Sequence, residues 1–231
     1  MKKTFSIQIV LKQGWYSFKD RYKFFLLISF FYVAVSAVPR IIDSITDAAP
    51  RLAHDPIFFV LSTFIQIAAW IVSLIVPIGY TYILLRAVDN QSYELKDLFS
   101  THKVFWSYIF TGIMAGILVA LGTIFLVIPG IFLGLSFMFV SYVVVDEQLS
   151  LDKALKRSYK LATDVRWKLL GFILVVGLLN IIGIALLGVG FLVTMPVSGL
   201  ASMHLYKTLK HQESELITKP EMAPQETPVS A

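Results

Sequence analysis

Lys153, Lys156, Arg157 and Lys160 follow one another at helical spacing, each positively charged at neutral pH. Clustered cations beside apolar sequence attract anionic lipid headgroups at about 1 kcal/mol per residue. Ser150 stands where a helix N-cap would, and Leu151, Ala154, Leu155, Ser158 and Ala162 fall on one stripe of the same helix. The segment therefore reads as an amphipathic helix whose cationic side is a candidate headgroup contact. The same charges would also serve simply to orient a membrane bundle.

Other chemistry is sparse. Inside the long apolar stretches the polar positions of note are Gln66, Asn180 and His204, for which interhelical hydrogen bonding and the lining of a substrate cavity are the two readings. His54, His102, His204 and His211 never pair at i, i+3 or i+4, so no metal site is expected. Cysteine is absent, which removes disulfides, thiol catalysis and Cys-ligated zinc. No nucleotide-binding, serine-hydrolase or zinc-protease motif occurs, and no pair of catalytic groups converges. The expectation is no enzyme, no cofactor and no catalytic residue.

The elements that must carry these residues are set by composition. The chain of 231 residues is 57 % hydrophobic and 15 % charged, with mean hydropathy +0.74, where soluble domains carry about 25 % charge. From Val104 to Val145 there is no Asp, Glu, Lys or Arg. At about 1.5 Å per residue, a hydrocarbon core of about 30 Å takes about 20 residues, so this run holds two crossings. Pro129 and Gly130 mark their turn. The whole chain reads as all-α and polytopic: an interfacial helix in 1–23, then spans at about 24–42, 57–85, 104–126, 129–145, 169–187 and 189–206. A disordered tail is expected over 211–231. Pro77 with Gly79 would bend span two, and Pro196 with Gly199 span six. The first span is expected to break near Pro39, with an external loop over 43–56. Gly112 and Gly116, with Gly130 and Gly134, would let the hairpin helices approach closely.

Six spans place eighteen of the twenty Lys and Arg residues on one side, leaving Arg40 and Arg51 on the other. Without span one the bias disappears, so the positive-inside rule supports six spans with both termini in the cytoplasm. The net charge of +5 thus belongs to membrane flanks rather than to nucleic-acid binding. In the N-terminal helix, Ile7, Leu11, Trp15 and Phe18 form the face expected to meet the membrane, and Leu95, Leu98 and Phe99 do the same after Ser92. A weak threefold repeat emerges: amphipathic segment, span, turn, span. Trp15, Trp106 and Trp167 precede or open odd spans, and Val88-Asp89-Asn90-Gln91 echoes Val145-Asp146-Glu147-Gln148.

Ile128-Pro129-Gly130-Ile131-Phe132-Leu133, then Val143-Val144-Val145-Asp146-Glu147, then Ala154-Leu155-Lys156-Arg157-Ser158 and Trp167 carry a likeness. Over about residues 126–170 the chain resembles the bacterial glycerophosphoryl diester phosphodiesterase membrane-domain superfamily, which includes the YciC-like proteins. The resemblance implies a six-helix inner-membrane protein. Some relatives fuse this bundle to a soluble phosphodiesterase domain; these 231 residues are expected to lack it, so that activity is not carried over. The leading expectation is a non-enzymatic membrane protein acting through lipid or protein contacts in envelope organisation, with anionic lipids, a membrane-protein partner or a second copy as partners. A permease or lipid carrier is the alternative, and a membrane enzyme comes third.

Overall fold

The computed structural model describes residues 3–49, 51, 55–99, 103–186 and 188–218. His54 and His102, and the part of the expected tail beyond Thr218, lie outside them. Among the described residues the chain is all-helical, with no strand. The order is α1 (Ile7–Asp20), α2 (Tyr22–Ala48), α3 (Pro56–Val88), a 3-10 turn (Leu95–Phe99), α4 (Phe105–Phe125), α5 (Val127–Phe137), α6 (Val140–Glu147), α7 (Leu151–Ala162), α8 (Arg166–Ala185) and α9 (Phe191–Thr218). Among the described residues, five rods are long and apolar enough to cross a membrane: α2, α3, α4, α8, and α5 with α6 taken together. Their surfaces are built for lipid, with Phe125 81 % and Ile57 79 % exposed amid dozens of other large apolar side chains.

Several expected boundaries move. Helix α2 runs unbroken through Pro39 to Ala48, so the external loop is shorter than 43–56. In hydrocarbon, unwinding at proline would strand further backbone groups, which favours continuity. Helix α3 starts on Asp55, whose carboxylate accepts from the Ile57 and Phe58 amides at 2.8 and 2.9 Å. It continues through Pro77 for 33 residues. The hairpin reverses at Leu126 rather than at Ile128-Pro129-Gly130, since Leu126 alone is extended (φ −161°, ψ 134°). Pro129 then sits in the first turn of α5, where its missing N–H has no partner to lose. Gly130 serves a different end: a Cβ there would lie 2.7 Å from the Thr123 Cα of the facing helix. Gly122 completes that contact, whereas Gly112 and Gly116 face open space, so the close-approach role assigned to that pair is corrected. Between α8 and α9 the chain turns at Gly188 to Gly190, Gly188 adopting φ +75°.

The packing follows a cyclic rule. Hairpins α2/α3, α4/α5 and α8/α9 are each closed internally, and the second helix of each touches the first helix of the next: α3 on α4, α5 on α8, α9 on α2. The short segments obey the same order. The 3-10 turn packs on α3, α7 on α5 and α6, and α1 on α9. The threefold repeat suspected from the sequence thus has a counterpart in contacts. The core gathers where α3, α6 and α9 meet, with Ile83, Leu84, Phe139, Val143, Leu200 and Tyr206 all buried. It occupies the end of the bundle away from the hairpin turns, leaving the turn-side halves mostly exposed.

Helix α1 does more than lie flat. Val10, Gly14 and Phe18 are its buried face, so Phe18 packs inward rather than toward a membrane, while Trp15 is exposed. A Cβ at Gly14 would meet the Ala201 amide nitrogen at 2.7 Å, so α1 and α9 touch backbone to backbone. In the 3-10 turn, Leu95 and Phe99 point outward as expected, but Leu98 is buried against Gly79. Residues 211–218, expected as the start of a disordered tail, are the last two turns of α9.

Candidate functional site

The end of the bundle opposite the hairpin turns is where charge collects. Helix α6 delivers Asp146 and Glu147 at its last turn, ended by Gln148 in the left-handed region (φ 51°). Helix α3 delivers Asp89, followed by Asn90 at φ 54°. Against these α9 presents Tyr206, Lys207, Lys210 and Glu213, which share one face because their spacing follows the helical turn.

Lys207 Nζ lies 2.9 Å from Asp89 and 3.3 Å from Asp146, joining the two aspartates that the repeat makes equivalent. Lys210 Nζ meets Asp146 at 2.6 Å and Glu147 at 3.2 Å. The Tyr206 hydroxyl donates to Asp146 at 2.8 Å. From α7, Arg157 Nε donates to both Glu147 oxygens at 3.1 and 3.2 Å, while its terminal nitrogen grips Glu213. Lys160 lies 3.2 Å from the same Glu213. Four carboxylates and four cations therefore balance. Burial works against the Lys210 and Arg157 charges, but the adjoining Asp146, Glu147 and Glu213 carboxylates outweigh it and raise both pKa values.

The chain's beginning locks onto the same end. Lys3 reaches the Leu161 carbonyl at 3.2 Å, and burial lowers its pKa. Thr4 and Gln212 exchange two hydrogen bonds, at 2.8 and 3.0 Å. Ser17 Oγ lies 2.9 Å from His204 Nε2, within reach of a nucleophile and its base. The contact ties α1 to α9.

The four basic residues singled out in α7 divide. Arg157 has a side chain 23 % exposed and is held by two carboxylates, so it braces the fold rather than waiting for a headgroup. Lys153 is exposed, Lys156 makes a surface pair with Asp152 at 3.0 Å, and Lys160 is exposed despite its contact with Glu213. The stripe Ala154, Ser158, Ala162 is buried, with Ser158 Oγ donating to the Ser136 carbonyl at 2.8 Å; it faces α5 rather than lipid. Asn180 donates from Nδ2 to Ser198 Oγ of α9 at 3.1 Å, while its Oδ1 finds no partner among the described residues. Gln66 is half-buried in the turn-side half of α3, far along the helix from the charged end.

No family model, no curated protein and no solved structure matches the chain. The site is therefore read from its own geometry. Local sequence reasoning missed the Asp146–Glu147–Lys210–Glu213 core. Tyr206, Lys207, Lys210 and Glu213 recur at helical spacing, a signal that the polar composition of 211–231 obscures.

Proposed function

We propose that the chain is a six-span protein of the bacterial inner membrane, both termini cytoplasmic, that works without catalysis through lipid or protein contacts of its cytoplasmic face. Its service would be in envelope organisation, and membership of the glycerophosphoryl diester phosphodiesterase membrane-domain (YciC-like) superfamily belongs to the same proposal. The observation that carries it is the division of the molecule: lipid-ready helices along its length, and one end where the cations and carboxylates converge. On that end Lys153 and Lys156 remain outward, suited to anionic headgroups.

Helix α9 is the sixth span in this proposal. The transport reading gains less support, because Asn180 is engaged between α8 and α9.

The chain has no cysteine, so single cysteines introduced in the connectors report their side directly. Labelling should alternate in, out, in, out, in, out, in. In lipid nanodiscs, Lys153→Gln with Lys156→Gln should reduce enrichment of phosphatidylglycerol around the protein severalfold. Unchanged enrichment would reject the headgroup role.

A further inference from the structure

The junction of α1 and α2 faces the loop leaving α3 across a cavity of about 390 Å³. Its walls are polar, with Ser17, Asp20 and Arg21 on one side and Asn90, Ser92 and Tyr93 on the other. Arg21 is held in place: its guanidinium lies 4.8 Å from the Tyr93 ring centre and donates to the Tyr93 carbonyl at 3.3 Å. Tyr93 is itself pinned by Phe24 and Phe25, whose ring centres are 5.1 and 5.9 Å away. A guanidinium carries five N–H donors, so a single carbonyl leaves most of them for another acceptor. Asp20, the preceding residue, is exposed and makes no ion pair among the described residues.

Past Tyr93 the surface becomes apolar. A groove of about 220 Å³ runs between Leu27, Ile28 and Phe31 of α2 and Leu95, Leu98 and Phe99 of the 3-10 turn. The cavity ends at Arg21 and Tyr93, and the groove follows along the same two segments from Leu27 and Leu95; Arg21 to Phe31 spans about 15 Å along the helix. One side of this feature suits a phosphate and an ammonium, and the other suits hydrocarbon.

We propose that it holds one glycerophospholipid with a primary ammonium headgroup: phosphate on Arg21, ammonium on Asp20, and an acyl chain in the Leu27–Phe99 groove. Charge complementarity selects that occupant. A phosphate alone would leave Asp20 facing like charge, whereas a headgroup bearing both signs satisfies both side chains. The inference rests on the reading above in that it needs this end of the bundle to lie at the membrane surface. It differs from that reading in being one stoichiometric site, separate from the α7 lysines.

Full-length protein in detergent is titrated with phosphatidylethanolamine, phosphatidylcholine or phosphatidylglycerol, and bound lipid is counted by native mass spectrometry. Wild type should bind one phosphatidylethanolamine about tenfold tighter than phosphatidylcholine, whose quaternary nitrogen has no N–H to donate. Asp20→Asn should equalise these two lipids. Arg21→Gln should weaken all three about tenfold, Arg21→Lys should retain most of the binding, and Leu27→Gln in the groove should weaken all three. Melting temperatures of the variants show whether each is folded. If wild type binds the three lipids within twofold of one another, or if folded Arg21→Gln binds as wild type does, the proposal is wrong. Phosphatidylglycerol enrichment that depends on Lys153 and Lys156 would survive such a failure, so the two results are separable.

Discussion

Replacing Arg157 by Met keeps the length of the side chain and removes its charge from between Glu147 and Glu213. Removing one partner from a fully buried pair costs about 3–5 kcal/mol, while exposed pairs contribute about 0–1 kcal/mol. The Arg157 side chain is 23 % exposed and that of Glu213 only 5 %. After the change Glu147 keeps Tyr206 and Lys210, and Glu213 keeps Lys160. The penalty therefore lies between the two limits, at about 2 kcal/mol. For a chain of this size that corresponds to a fall of about 4–8 °C in Tm, read from tryptophan fluorescence of the detergent-solubilised protein at one scan rate. Glu213→Gln removes the charge left behind, so the double variant should recover part of the loss, with a coupling of about 1 kcal/mol. Lys156→Met, breaking only the surface pair with Asp152, should leave Tm within about 1 °C. If Arg157→Met melts no lower than Lys156→Met, the network does not brace the fold.

Two further outcomes follow from the same structure. Gly79→Ala places a Cβ 2.0 Å from the Leu98 carbonyl oxygen, so the 3-10 turn must move, at about 1–3 kcal/mol; Gly112→Ala meets nothing within 4 Å and should be neutral or slightly stabilising in the same melting assay. The Lys210 pKa is raised in the folded protein, so its contribution is complete below the ordinary value of 10.5 and disappears as pH climbs through the folded value. In alkaline scans beyond 10.5, wild type should therefore lose more Tm than Lys210→Met does.

Apolar rods are legible in sequence because lipid imposes a length on them, and the runs around Val104–Val145 and Leu169–Ala185 declare themselves that way. Their ends are less legible. Pro39 reads locally as a break, yet the helix passes through it, and Pro129 and Gly130 read locally as a turn that falls at Leu126. Gly130, Gly79 and Gly14 are small because another backbone lies against them, a tertiary fact that spacing alone does not carry. The charged end was half visible. The stripe in α7 was readable, but Arg157 finds Glu213 across 56 positions and Lys210 finds Asp146 across 64, beyond any local pattern. Glu213 was obscured further by its polar, helix-ending surroundings.

Helix α9 shows why hydropathy and burial part company in such a bundle. Among the described residues, four of the five rods that meet the apolar criterion turn most of their side chains outward, since lipid demands apolar surface of whatever touches it, while the rod of α5 and α6 sends Val140 and Val143–Val145 into the core. Helix α9 carries Thr194, Ser198, Ser202, His204 and Lys207 and falls short of that criterion, yet Leu200, Ala201, Met203, Leu205 and Tyr206 on it are fully buried. Its polar groups can be tolerated because protein surrounds them: Asn180 reaches Ser198, Ser17 reaches His204, and Asp89 with Asp146 reaches Lys207. In the proposed six-span arrangement the least apolar long helix is thus the hub, and the other rods form the lipid-facing wall around it. That order also explains why α1, α2, α3, α7 and α8 all contact α9. A charge lost from α9 would disturb several hairpins together, whereas a change at an outward apolar position such as Phe125 or Ile57 would be felt by lipid alone.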